Sequence, residues 1–280
     1  PMEYGALVGV LLGASYDVMQ ISGFWIDNSP DYPLSFMTLD PLIGISYSAR
    51  TVEVDTLVKE VWSATSEQDA MDAFHEVQKL NYEGGNPIQF GYFNALEAYR
   101  TDKFTGWVAQ PGAGLYYSVW NSLNVRLASG EMGGQIIFGY DTEPSTSNLL
   151  NPASSNQFSA AVFGGGGRGL VYETLMRTDT PYEAYKLNPS LAKSYDYVTD
   201  GTGAVITYHL EENVLWHDGE SFTADDVKFS LEIFRDVAQS VAGRNLAGVT
   251  DVEVIDEHTV QVTVDTQSIW MLGWIAKVPM

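Results

Sequence analysis

The sequence predicts a mixed α/β fold, because segments with helical periodicity occur beside segments whose apolar residues recur at every second position. In the first half, one helical face collects Val54, Leu57, Val58, Val61 and Trp62. In the second half, residues 204–210 alternate as a half-buried strand does. Two further alternating runs, 252–255 and 259–264, flank residues 256–258 and predict a β-hairpin.

Two helix starts share a capping-box spacing, Ser66 with Asp69 and Thr223 with Asp226. Each start precedes an apolar helical face, formed by Phe74, Val77 and Leu80 in the first helix and by Val227, Leu231, Phe234 and Ala238 in the second. Less regular patterns predict further features: strands at 16–21 and 135–139, an extended stretch at 88–99, a linker at 129–134, a loop at 141–156 and a helix end at 172–176.

Charge and composition exclude several function classes. The 280 residues include 36 acidic and 14 basic side chains, a net charge of -22, which disfavours nucleic-acid binding and contact with anionic membranes except through an anchor or a membrane partner. The absence of cysteine excludes disulfides and thiolate chemistry. The apolar run at 5–14 is too short to span a bilayer and lacks a basic flank, and we expect both chain ends to be cut from a longer protein.

No motif predicts catalysis, a cofactor or a metal site. Gly164, Gly166 and Gly169 match G-x-G-x-x-G formally, but neither a preceding strand nor a Walker lysine accompanies them. The four histidines show no i, i+4 pair, and His217 is expected in the turn at 216–219. The sequence therefore predicts a protein that is not an enzyme and needs no cofactor.

Trp25 and Asp27 form the pattern most typical of a ligand pocket, an aromatic wall beside a charged anchor. The residues alone leave a second interpretation open, in which Trp25 is a core aromatic and Asp27 a turn residue.

Residues 133–280 resemble one known family through several motifs. Residues 170–175 read LVYETL, 187–195 read LNPSLAKSY and 205–210 read VITYHL. Residues 216–227 read WHDGESFTADDV, which resembles the pattern FHDG-x-P-x-TA-x-DV with Ser221 in place of proline. These motifs are similar to those of the family 5 extracellular solute-binding proteins, the dipeptide, oligopeptide and nickel receptors of ABC importers.

The first half resembles the opposite end of the same family. Residues 25–36 read WIDNSPDYPLSF, similar to the pattern W-x-x-DY-x-(D/E)P-x-x-F, although Asp27 stands one residue closer to the tryptophan. Residues 53–57 and 98–107 resemble later segments of that end. A C-terminal section therefore precedes an N-terminal section, as at the junction of two tandem receptor domains or after a circular permutation.

The resemblance implies a type II periplasmic-binding-protein-like fold, mostly one lobe with a strip of the second. Residues 1–128 correspond to a C-terminal section, in which 1–37 form the strip and hinge and 38–128 return to lobe one. Residues 129–134 form a linker, and 135–280 form an N-terminal section in lobe one.

The implied function is capture of a peptide or similar small solute outside the cytoplasm, in the periplasm or at the cell surface, and delivery to an ABC importer permease without chemistry on the ligand. A secreted acidic hydrolase and a structural segment of a tandem secreted array are the alternatives. Six residues are predicted to contact ligand: Trp25, Asp27, Asp31, Glu143, Asn148 and Tyr172. By resemblance, Asp27 anchors the α-amino group of a peptide, with Asp31 as its rival, and the loop at 143–151 lines the ligand side of lobe one.

Overall fold

A computed structural model describes residues 34, 37–38, 51–84, 96–109, 115, 119–137, 171–177, 187–199, 201–236, 243 and 246–280. The chain divides into two compact units. The first unit contains residues 1–25, 29–93 and 268–270, and the second contains 26–28, 94–267 and 271–280. The described residues combine helices and antiparallel strands, which confirms the predicted mixed α/β class.

The described part of the first unit is built on a pair of helices, α1 (Val52–Ser63) and α2 (Glu67–Glu83). At the start of α1, the Val54 amide donates to Thr51 Oγ1 at 3.2 Å. At the start of α2, the Asp69 amide donates to Ser66 Oγ at 3.1 Å, and the Ser66 hydroxyl donates back to the Asp69 carboxylate at 2.6 Å. These contacts confirm the helix start predicted at Ser66 and Asp69.

A segment from far along the chain completes this unit. The hydroxyl of Ser268 donates to the carbonyl oxygen of Trp62 at 2.6 Å, and the indole N–H of Trp270 donates to that of Val61 at 2.7 Å. The amide of Ile269 donates to the carbonyl oxygen of Ala64 at 3.0 Å. Helix carbonyls at a C-terminus lack partners within the helix, so this segment satisfies the end of α1. It also brings Trp270 against the buried residues Leu34, Val54, Val58, Val61 and Val77.

Short elements come first in the second unit. Strand β1 (Phe104–Thr105) pairs antiparallel with β2 (Arg126–Leu127), and helix α3 (Val119–Asn124) lies between them in sequence. Strand β3 (Met176–Arg177) pairs antiparallel with β4 (Asn188–Pro189).

A four-stranded antiparallel sheet forms the centre of the second unit, in the order β5-β6-β8-β7. Its strands are β5 (Ala192–Thr199), β6 (Ala204–Leu210), β7 (Val249–Asp256) and β8 (Thr259–Val264). Helices α4 (Ala224–Asp236) and α5 (Met271–Ala276) contribute to the same core. The strand predicted at 204–210 and the hairpin around 256–258 are confirmed.

Alternate residues of the two central strands build the core. Val227, Leu231 and Phe234 of α4 belong to the same buried cluster, which confirms the predicted helical face as far as Phe234. The strand residues in this cluster are Ala204, Ile206, Tyr208, Leu210, Val260, Val262 and Val264. Tyr208 is 0% exposed, and its hydroxyl has no hydrogen-bond partner within the described structure.

The helix end predicted at 172–176 is wrong. Thr174 instead forms an antiparallel bridge with Pro279, and the Met280 amide donates to the Glu173 carbonyl at 2.8 Å. The Ala192 amide donates to the Leu175 carbonyl at 2.8 Å. Backbone pairing with residues distant in sequence therefore overrides the local helical pattern.

Two other predicted elements differ where they are described. Residues 135–137, the start of a predicted strand, have no regular structure, and neither have residues 96–99 at the end of the predicted extended stretch. Residues 16–21, 141–156 and Ala238 lie outside the described residues.

The turn predicted at 216–219 is confirmed, and backbone hydrogen bonds close it. The Gly219 amide donates to the Trp216 carbonyl at 2.9 Å, and the Trp216 amide donates to the Glu220 carbonyl at 2.8 Å. The Trp216 ring meets Phe222 edge-on, with centroids 5.6 Å apart. Gly219 has φ +94°, a left-handed conformation that glycine adopts without strain.

Replacing Gly219 should therefore destabilise the fold through the backbone alone. A Cβ at this position would meet no atom within 4 Å, so Gly219→Ala tests the conformational cost without a clash. We expect a loss of about 1 kcal/mol in the free energy of unfolding, measured by urea titration. Glu220→Ala, at the exposed next position, should change it by less than about 0.5 kcal/mol. Equal stability of Gly219→Ala and wild type would contradict this assignment.

Removing the buried hydroxyl of Tyr208 should stabilise the protein. Burial raises the pKa of Tyr208, since the phenolate would lose its hydration. Its folded pKa lies above the unfolded value of about 10. The unfolded chain therefore releases this proton first, and the folded state loses stability as the pH rises above about 10. We expect Tyr208→Phe to gain about 1 kcal/mol at pH 7 and to flatten the alkaline loss of stability, both measured by urea titration.

Tyr195→Phe is the matched control for Tyr208→Phe, because Tyr195 is only partly buried and its ring lies 6.4 Å from that of Tyr208. It should leave the larger part of the alkaline loss of stability intact, because burial is the larger cause of the raised pKa of Tyr208. A loss of more than about 1 kcal/mol in Tyr208→Phe would show that the hydroxyl has a partner.

Candidate functional site

Five of the six predicted ligand residues, Trp25, Asp27, Asp31, Glu143 and Asn148, lie outside the described residues, as do the whole loop at 143–151 and the glycines at 164–169. Their roles therefore stay predictions. Tyr172 is the predicted ligand residue that the structure describes.

Tyr172 projects from a backbone segment that is fixed on both sides. The carbonyl of its neighbour Glu173 accepts the Met280 amide at 2.8 Å, and the buried Thr174 hydroxyl donates to the Met176 carbonyl at 3.0 Å. The Glu173 carboxylate lies 3.6 Å from the guanidinium of Arg177. A half-buried tyrosine on such a backbone offers an aromatic face and a polar hydroxyl in a fixed position, as ligand sites require.

The histidines of the sheet make structural contacts. His209 Nε2 lies 2.8 Å from Asp196 Oδ2 on the neighbouring strand, and His217 lies in the exposed turn, so the structure does not pair these two histidines. The His258 amide donates to Asp256 Oδ1 at 2.9 Å and is the largest cause of the lowered pKa of Asp256. Throughout the described ranges, no three His, Asp or Glu side chains are grouped as metal ligands.

An aromatic cluster in the second unit stands beside a close backbone approach. The rings of Tyr99 and Trp107 lie 5.1 Å apart, and Phe104 meets Trp107 edge-on at 6.5 Å. A Cβ on Gly106, which has φ +85°, would lie 2.2 Å from the Asn124 carbonyl oxygen. Only glycine fits there, so the backbone after β1 can approach the end of α3 beside the cluster.

A cavity of about 480 Å³ in the first unit was not predicted from sequence. Its lining residues come from α1 and α2: Leu57, Glu60, Ser63, Asp69, Asp72, Ala73 and Glu76. Four of them are carboxylates, so the cavity repels anions. The sequence pattern marks the buried faces of these helices, but the groove depends on how the two helices pack.

Comparison with known families finds a similarity in the second half of the chain. The sequence model described as "Bacterial extracellular solute-binding proteins, family 5 Middle" matches residues 186–279. This range includes the turn at 216–219, the capping box of α4 and the four-stranded sheet. The predicted type II periplasmic-binding-protein class agrees with this family.

Two curated relatives are named as binding proteins. A Brucella ovis protein named as an ABC transporter peptide-binding protein is 32% identical over 151 residues, covering 52% of this chain and 26% of its own length. The periplasmic alpha-galactoside-binding protein of Rhizobium meliloti is 38% identical over 86 residues, covering 29% of this chain and 12% of its own. The chain thus spans about a quarter or less of these relatives.

Solved structures with similar sequences include NikZ from Campylobacter jejuni in complex with Ni(L-His), 34% identical with a TM-score of 0.41. It covers 49% of this chain, which spans 26% of NikZ. AppA from Clostridium difficile is 27% identical with a TM-score of 0.37, and the shares are 49% and 27%.

The described helices include none with the length and apolar character needed to cross a membrane. The matched residues 186–279 include the complete β5–β8 sheet together with α4 and α5, and they contain the motifs at 187–195, 205–210 and 216–227. Residues 186–279 are therefore similar to the family 5 bacterial extracellular solute-binding proteins.

Proposed function

We propose that the protein captures a peptide or similar small solute outside the cytoplasm and delivers it to the permease of an ABC importer, without chemistry on the ligand. The observation that carries this proposal is the family match over residues 186–279. The names of the relatives support a binding role, since they refer to peptide and alpha-galactoside binding.

Two of the described contacts hold groups that could otherwise act as acid or base catalysts. His209 lies beside Asp196, and the Asp226 carboxylate accepts the Thr223 amide at 2.8 Å. A general base must instead reach a proton on bound substrate. Tyr172, held by its fixed backbone, supplies a surface for contact with a ligand.

A peptide is the ligand class that fits the predicted anchor. An ammonium leaving water needs a charge partner, and a carboxylate at Asp27 would supply it through a charge-assisted hydrogen bond. Trp25 would wall the pocket, and Glu143, Asn148 and Tyr172 would line its opposite side. Asp31 is the rival anchor, because Asp27 is one residue closer to Trp25 than the family pattern has it.

Neutralising the anchor should weaken peptide binding. In the full-length protein, we expect Asp27→Asn to lose about 2–5 kcal/mol of affinity for peptides with a free α-amino group, measured by calorimetry. Peptides acetylated at the α-amino group should bind both forms equally. Asp218→Asn is the control, because it neutralises an exposed carboxylate in the structural turn and should leave affinity unchanged.

Unchanged affinity in Asp27→Asn with a large loss in Asp31→Asn would transfer the anchor to Asp31. Unchanged affinity in both would contradict an ammonium anchor. The proposed function is tested separately, by thermal stabilisation with a panel of peptides, oligosaccharides and nickel chelates. Release of product from any of these ligands, detected by mass spectrometry, would identify a hydrolase instead.

A further inference from the structure

The helix pair α1 and α2 carries a share of the acidic surplus of the chain. These two helices carry eight acidic side chains but only two lysines, Lys59 and Lys79. Acids in the first turn of each helix are favourably placed, because the N-terminal end of a helix is electropositive. Neither helix has a basic residue in its last turn, so the remaining charge is left without this compensation.

Asp72 stands at the centre of a like-charged group. It is three residues after Asp69 and four before Glu76 on α2, spacings at which helical side chains are neighbours and like charges repel. Glu60 of α1 lines the same cavity as these three acids. The cation shown to pair with the group is Lys79, 3.3 Å from Glu76.

Most of the basic side chains that the structure describes are already paired with carboxylates. At least seven of the ten Lys and Arg residues that the structure describes already lie within 4.0 Å of a carboxylate. The net charge of -22 follows from the composition, and it does not change when these pairs rearrange. Unfolding spreads the charges apart, so their repulsion destabilises the folded state more than the unfolded one.

We infer that the folded state of this protein depends on dissolved salt. The α1–α2 groove, the cavity lined by Glu60, Asp69, Asp72 and Glu76, contributes to this dependence. Screening is the mechanism: the Debye length falls from about 10 Å at 0.1 M salt to about 3 Å at 1 M, which is shorter than the spacing of neighbouring helical side chains. The carboxylates of the groove are solvated, so dissolved ions reach them.

The test is the thermal unfolding midpoint at pH 7 between 0.05 M and 2 M salt, followed by circular dichroism. We expect a rise of at least about 5 °C, equal in NaCl and KCl. Sucrose at matched osmolality should give a smaller rise, because it does not screen charge. A midpoint that does not rise with salt would overturn the inference, and so would a rise that requires only millimolar calcium, which would indicate specific ion binding.

Asp72→Asn tests the contribution of the groove. The variant retains the side-chain oxygen that accepts a hydrogen bond from Gln68 at 2.8 Å, and it removes one charge from the centre of the group. We expect its midpoint to exceed that of wild type by about 2 °C at 0.05 M salt and to equal it at 2 M. Amide hydrogen exchange should show the same change in α2.

Glu67→Gln is the matched control, because it removes one charge from the first turn of the same helix and does not line the cavity. It should give no gain at low salt, since it also loses the favourable interaction with the helix end. Equal gains in the two variants would show that net charge alone matters and would remove the groove from the inference.

Discussion

Burial of alternate side chains from the two central strands is the constraint on which the second unit depends. In β6 and β8 every second residue is buried in a cluster that also contains apolar residues of α4. A shift of one residue in either strand would turn these apolar side chains outward, so the register is strongly specified. The contact between the His258 amide and Asp256 lies in the turn that joins β7 to β8. The start of α4 is also tied to the sheet, because the Ala224 amide donates to the Glu257 carbonyl of this hairpin.

Local interactions explain what could be predicted from the sequence. The capping residues Ser66 and Thr223 act within three residues of themselves, and the alternation of β6 lies within seven residues. The sequence wrongly predicts a helix end at 172–176, because the backbone partners of this segment, Pro279 and Met280, are about one hundred residues away. No local pattern contains that pairing. The acidic groove escaped prediction for the same reason, since it exists only where two helices pack.

The candidate site likewise contains features that the sequence predicts and features that it does not. Motifs in the second half predicted the family, and the structure shows that the most recognisable of them, residues 216–227, closes a turn and caps a helix. Such a motif is informative about the fold because its residues are constrained by backbone geometry. It gives no information about the ligand. The anchor proposed at Asp27 rests on resemblance and on the physical need of an ammonium for a carboxylate, since the backbone around it lies outside the described residues.

The completion of α1 by residues 268–270 bears on how the chain folds. Ser268 and the carbonyl it caps, that of Trp62, are separated by 206 residues. During synthesis at about 5–20 residues per second, α1 would wait roughly 10–40 s before this segment emerges from the ribosome. Contacts of such long sequence range slow folding and leave apolar surface exposed in the interval. The surplus of negative charge on the same helices would keep nascent chains apart during that interval, so a feature that weakens the folded state would protect the chain from aggregation on its way there.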